Sequence, residues 1–193
     1  MIQEKDRACK HPLIHILQGV VQKNQYLLEE EESRTDLGEI YLLLAKSFLT
    51  LNRLDESLKH ANECHQLAKN CKNFSLQAKT LRILGSVHSQ KGNHLKSLEL
   101  LKNSLQLEQK IGDKIGEAYA FFKLGIEEAD GEEFNESIEH LQHAVKIFKN
   151  LNHKRDAEAV QKELDIILED INEEKWLDSK IPKKFREKKG IKL

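Results

Sequence analysis

The sequence predicts an all-α chain, an α-solenoid of antiparallel helix pairs stacked in register, with about seven helices and a basic C-terminal tail. Three observations carry that reading. Charged residues make up 33% of the 193 positions and only two prolines occur, Pro12 and Pro182, a composition that suits long exposed helices. The chain repeats every 40 residues, so that Leu44, Leu84, Leu124 and Leu164 fall in one column and Ala45, Gly85 and Gly125 in the next. Corners recur at the same period around Ser33, Asn73 and Asp113, and stacked units of this kind build a core along their length rather than around a centre.

Taken in order, residues 1–12 form a polar N-terminal segment closed by Pro12, which can start a helix but not sit inside one. A helical repeat domain is expected over 13–172. Its leading helix spans 13–32, with Ile14, Leu17, Val20, Val21, Leu27 and Leu28 on one apolar face. The run Glu29 to Glu32 reads as its solvated end, where four acids oppose the macrodipole.

Three repeats follow at 34–72, 74–112 and 114–152, each a pair of helices. Ser33, Asn73 and Asp113 share one phase as N-caps, since each offers an oxygen to the free N–H groups of the helix behind it. Gly112 supplies a left-handed helix end, and Asn52, Gly92 and Gly131 break each unit in the middle. Small residues at fixed places, such as Ser57, Ser97 and Ser137 or Cys64, Ser104 and Ala144, mark where helices approach closely. A capping helix at 154–172 keeps Val160, Leu164 and Ile167 for the core and turns Glu158 and Asp165 outward. Residues 173–193 form a basic tail holding Trp176, Lys183, Lys184, Phe185 and Arg186.

The stretch Ile111-Gly112-Asp113-Lys114-Ile115-Gly116-Glu117-Ala118, with Leu124-Gly125 behind it and Leu84-Gly85 one repeat earlier, resembles the tetratricopeptide repeat superfamily. The common period there is 34 residues; the period of 40 resembles its longer units, as in kinesin light chain and the Leu-Gly-Asn repeat adaptors. The resemblance implies a right-handed superhelix in which the first helix of each pair lines a concave groove for a protein segment. On that phase the partner-binding residues are Lys46 and Leu49 in the first repeat, Lys79, Arg82 and Ser86 in the second, and Tyr119, Phe122, Lys123 and Ile126 in the third. Glu39, Leu42, Leu43, Ile83 and Gln90 share the face. The aromatic that often follows Leu-Gly is Phe48 in the first repeat but His88 and Glu128 in the others, where its contact is expected to be lost or solvated.

Other chemistries find little support. A formal charge of −1 argues against a nucleic-acid binder outside the tail. Cys9, Cys64 and Cys71 form no even framework, which points to a reducing, cytoplasmic setting, and no apolar run is long enough for a membrane span. Gly190 to Leu193 end in Lys-Leu but place a bulky Ile191 where a peroxisomal address needs a small residue. The pairs His11 with His15, His60 with Cys64 and His140 with His143 have helical ligand spacing but no third ligand, His60 and His140 are expected to be exposed, and no metal or cofactor is predicted. No glycine-rich loop follows a strand and no nucleophile motif is present, so an enzyme is not expected. Three functions remain: an adaptor whose groove holds a peptide with apolar anchors and acidic flanks; a structural subunit of a larger cytoskeletal or ciliary assembly that uses the convex face and tail; or, on the tail alone, electrostatic binding to nucleic acid or tubulin through Lys183 to Lys189.

Overall fold

The computed structural model of the chain describes residues 12–24 and 31–180, and every regular element among them is a helix. In order these are α1 (Pro12–Asn24), α2 (Glu31–Thr50), α3 (Leu54–Asn70), α4 (Phe74–Gln90), α5 (His94–Ile111), α6 (Lys114–Asp130), α7 (Phe134–Asn150) and α8 (Lys154–Lys180). Each helix packs on the next, and α2, α4, α6 and α8 also touch one another in sequence, with no contact of that extent joining α3, α5 and α7. The first helices therefore lie at the smaller radius and form the concave layer of an α-solenoid.

The corners explain the regular stacking. Left-handed backbone occurs at Asn52, Lys72, Gly92, Gly112, Glu132 and Asn152, with φ of 50–75°, one residue every twenty. At each corner two N–H groups reach back to the end of the preceding helix. Lys72 N–H donates to the Lys69 carbonyl at 3.1 Å and Asn73 N–H to that of Ala68 at 2.9 Å, and the same pair of bonds recurs in the other five. This double closure satisfies carbonyls that a helix end would otherwise leave free. Asn73 and Asp113 also cap as expected, their side chains accepting from the N–H of Leu76 at 3.0 Å and of Gly116 at 2.8 Å.

Both ends differ from the sequence-based expectation. The leading helix does not run through residue 32: α1 is described to Asn24, residues 25–30 lie outside the described residues, and Glu31 and Glu32 already belong to α2. Ser33 is therefore inside a helix and not its N-cap. The physical reason is the macrodipole, since acids that oppose a C-terminus favour an N-terminus. At the other end α8 continues past residue 172 to Lys180. Nothing between Asn172 and Lys180 breaks a helix.

Inside each pair the close approach is a matter of volume. A Cβ on Gly125 would stand 2.6 Å from Leu141 Cγ and 3.1 Å from the Ser137 carbonyl oxygen; one on Gly85 would stand 2.8 Å from Leu101 Cγ. The first repeat has Ala45 and Ala61 in these columns, both fully buried, so a small-small pair there takes the place of a Gly-Leu pair. Ser57 and Ser137 tie the same contact by donating to the carbonyls of Ala45 at 2.8 Å and Gly125 at 2.7 Å.

Gly125→Ala is expected to destabilise the chain by about 1–3 kcal/mol through overpacking. In chemical denaturation, Leu141→Ala should then cost at least ~1 kcal/mol less in the Gly125→Ala background than alone; additive costs would refute the pairing. At the corners, Glu132→Gly should raise stability by about 0.5–1 kcal/mol, because left-handed strain exceeds the extra chain entropy of glycine.

Candidate protein-binding groove

The concave layer is built on four columns that run from helix to helix. The first is Glu39, Lys79 and Tyr119; the second Leu42, Arg82 and Phe122; the third Leu43, Ile83 and Lys123; the fourth Lys46, Ser86 and Ile126. Leu42 and Ile83 are buried and belong to the core cluster that includes Ile14, Leu17 and Val21 of α1, so neither lines the groove. Leu43, Lys46, Lys123 and Gln90 are exposed, whereas Leu49, Lys79, Ser86, Tyr119, Phe122 and Ile126 are half-buried. Lys183, Lys184, Phe185 and Arg186 lie outside the described residues, and Trp176 falls in α8 where the side chain is likewise outside them.

Two of the basic groove residues are already engaged. Lys79 reaches Glu39 of α2 at 3.3 Å. Arg82 pairs with Glu108 of α5 and donates at 3.0 Å to the carbonyl of Gly116 at the start of α6. Its guanidinium also lies 5.7 Å from the ring centre of Tyr119. Tyr119 in turn donates to Asp156 of α8 at 2.9 Å and meets Phe148 of α7 edge-on at 5.0 Å. Arg82 and Tyr119 thus link five helices, and their first duty is to hold the concave layer together.

Glu108 is the residue that the sequence reading missed. Its side chain is only 1% exposed, and Oε2 has no hydrogen-bond partner. Burial pushes its pKa up to about 7, against the pull of Arg82, with Asp113 adding to the rise. The signal was its column, which holds Ala68 and Phe148 in the neighbouring repeats, both fully buried. The carboxyl also explains Gly116, since a Cβ there would stand 2.8 Å from Glu108 Oε1.

The same substitution of acid for apolar residue recurs on α6. Glu127 and Glu128 occupy the columns of Val87 and Phe48 and are 3% and 2% exposed. Glu127 meets His94 Nδ1 at 2.7 Å and accepts from Ser97 at 2.9 Å, while Glu128 meets His140 Nδ1 at 2.6 Å. The aromatic contact expected to be solvated at Glu128 is instead a buried polar pair. His60 and His140, expected to be exposed, are half-buried packing residues: His60 stacks on Phe48 at 5.4 Å and His140 lies 5.4 Å from Phe121. Cys64 is buried, with its thiol pushed up to about 11 by desolvation and its Sγ 3.0 Å from Thr80 Oγ1. Among the described residues no group of three or more His, Cys, Asp or Glu is placed to hold a metal ion.

What remains unpaired in the groove is Lys46 and Lys123, neither of which has a carboxylate partner among the described residues. Lys123 is exposed to solvent, yet desolvation and then the nearby Arg82 lower its pKa, against Glu127. Phe122, 5.9 Å from the Lys123 ammonium, and Ile126 flank it.

These stacked pairs define the class, an α-solenoid with its first helices on the inner face. Residues 76–150 match the tetratricopeptide repeat family model, and the helix pairs before and after that stretch continue the same stacking. Two solved structures with helical repeats of this type resemble it. BtubC (BKLC) from P. vanneervenii superposes with a TM-score of 0.69 at 15% identity, over 80% of this chain and 63% of its own. The apo form of RapI superposes with a TM-score of 0.59 at 14% identity, over 88% of this chain and 51% of its own. The chain spans less than two thirds of either, and at such identities the likeness is one of fold. No curated protein matches in sequence. A fold of this kind suggests a protein-interaction scaffold and is generally non-catalytic, and among the described residues no helix is long and apolar enough to cross a membrane.

The raised pKa of Glu108 has a definite sign. Its stabilising contribution is complete below the unfolded carboxyl value of about 4.5 and is lost as pH rises through about 7. Unfolding free energy should therefore fall across that window by up to ~3 kcal/mol. Glu108→Gln should flatten this part of the profile in urea titrations at pH 5 and pH 8; an unchanged slope would place the dependence elsewhere.

Proposed function

We propose that the chain is a non-enzymatic adaptor whose concave face binds a peptide segment of a partner protein through the third repeat. The observation that carries the reading is Lys123, a desolvated cation without a carboxylate partner among the described residues, set between Phe122 and Ile126 on the inner face. A ligand carboxylate would supply the missing counter-charge, and charge-assisted hydrogen bonds in a sheltered site are the strong ones. Apolar ligand residues would fill the flanks, with Phe122 and Ile126 at one end and exposed Leu43 beside Lys46 at the other. Arg82, although on the same face, is unsuited to act as a free anchor because Glu108 and the Gly116 carbonyl already hold it.

The division of labour decides which variants test the groove. Arg82→Ala leaves Glu108 buried without its cation, so the carboxyl stays protonated and the link between α4, α5 and α6 is lost; its effect on binding would be ambiguous. Lys123→Glu removes no ion pair, and Phe122→Ala, which also trims packing against the core, is read alongside a stability measurement. Selection from a random peptide library on the wild-type chain should enrich sequences that pair an acid with apolar residues. Calorimetry on a selected peptide should show at least a tenfold loss in affinity for Lys123→Glu, about 1.4 kcal/mol or more. Peptides that bind Lys123→Glu and Phe122→Ala as tightly as the wild type would sink the groove reading and favour the convex face or the tail.

A further inference from the structure

The formal charge of −1 conceals an uneven distribution of charge across the width of the solenoid. Because the helices of each pair are antiparallel, the corners that join one pair to the next all emerge on one edge, and the corners inside pairs emerge on the other. The two edges differ in how their charges are distributed.

On the first edge, the corner between α3 and α4 bears exposed Lys69 and Lys72, and residues 66–75 contain no acid. The corner between α5 and α6 bears exposed Lys110 and Lys114; its acids are Glu108, paired with Arg82, and Asp113, engaged as a helix cap. The corner between α7 and α8 bears exposed Lys149, Lys154 and Arg155, and residues 146–155 again contain no acid. Apart from Lys114, which meets Glu117 at 2.7 Å, none of these cations has a carboxylate partner among the described residues. Large apolar side chains stand among them, Phe74, Ile111, Ile115 and Leu151, each 37–42% exposed. On the opposite edge, the corner between α6 and α7 carries exposed Asp130, Glu132, Glu133 and Glu136, while the lysines of the corner between α4 and α5, Lys91 and Lys96, are paired with Asp55 and Glu99.

We propose that the edge formed by these three basic corners docks on an anionic bilayer surface. Three features favour a bilayer over other anionic partners. Lysine predominates, and an ammonium acts as a point charge suited to a diffuse layer of headgroups, whereas recognition of one phosphate or carboxylate favours the arginine fork. The exposed aliphatic side chains recur in step with the cations, and an interfacial acyl region accepts them where a nucleic-acid backbone offers no apolar surface. The opposite edge holds its lysines in ion pairs and gathers acids at the corner between α6 and α7, which the same field would repel, and this fixes orientation. With the basic edge on the membrane, the concave layer stands to one side of it and stays open.

The test uses the full chain and sedimentation with vesicles of phosphatidylcholine alone or with about a third phosphatidylserine. Binding is expected only to the anionic vesicles and should weaken steeply between low and physiological salt. Lys69→Glu combined with Lys149→Glu and Arg155→Glu should lower partitioning at least tenfold while circular dichroism stays unchanged. Residues 181–193 are untouched in that variant, so the difference reads the edge alone. Ile111→Ser with Ile115→Ser should weaken the binding that survives salt, and Glu132→Lys with Glu133→Lys should strengthen partitioning. No binding to anionic vesicles, or equal binding by the charge-reversed variant, would overturn the proposal. So would an edge-dependent preference for a duplex RNA or a poly-glutamate competitor over the vesicles.

Discussion

One constraint organises the whole molecule: every twentieth residue must turn left-handed. From Asn52 to Asn152 the six positive-φ positions keep that spacing, so the helices between them, α3 to α7, are all 17 or 18 residues long. Equal helices bring the chain back to the same two edges each time. Equivalent residues therefore stack in columns, and a column on an inner helix becomes a line along the groove. Four of the six positions are not glycine, which means that the double hydrogen bond at each corner outweighs a backbone strain of about 1–2 kcal/mol. The geometry is imposed by the corner as a unit, not by glycine alone.

Within that frame the three repeats are not equivalent. The first is apolar at the inner contact, with Phe48 and Leu42 buried beside α1, while the third replaces apolar columns with Glu127 and Glu128 and draws in His94 and His140. Buried polar pairs of this kind contribute little net stability compared with a well-packed apolar contact, but breaking one partner is costly. The polar pairs fix which helix faces which. Arg82 serves the same end from the other side, since it can satisfy Glu108 and the Gly116 carbonyl only when α4, α5 and α6 are stacked in one register.

The architecture was legible in the sequence because it rests on periodic features, and periodicity survives in the residues themselves. The columns, the caps at Asn73 and Asp113 and the left-handed Gly112 all carry distinct chemical requirements at fixed spacing. What the sequence concealed were interactions that violate a column. Glu108, Glu127 and Glu128 sit where apolar residues stand in other repeats, and a charged residue reads as exposed unless its counter-charge is known to be near. Arg82 lies 26 residues from Glu108 and His94 33 from Glu127, separations that only the stacked geometry brings to contact. The start of α2 was misplaced for a related reason: one row of acids fits either the end of one helix or the beginning of the next, and only the sign of the helix dipole chooses.

The same stacking that buries those acids decides what the surface can do. Of the four cations assigned to the inner face, Lys79 and Arg82 are neutralised by Glu39 and Glu108, which leaves Lys46 and Lys123 at opposite ends of a strip whose middle is electrically quiet. A ligand held there would be read mainly at its two ends, with Ser86 and the Lys79–Glu39 pair tolerating what lies between. The basic edge lies at the ends of the helices and not on their inner faces, so filling one surface does not cover the other. Edge and groove draw on different residues of the same corners: Gly116 receives Arg82 on the inside, while Lys114 and Ile115, two and one residues earlier, are exposed. A chain that repeats one corner thereby presents two independent rows of side chains, and the residues within each row set what each row can hold.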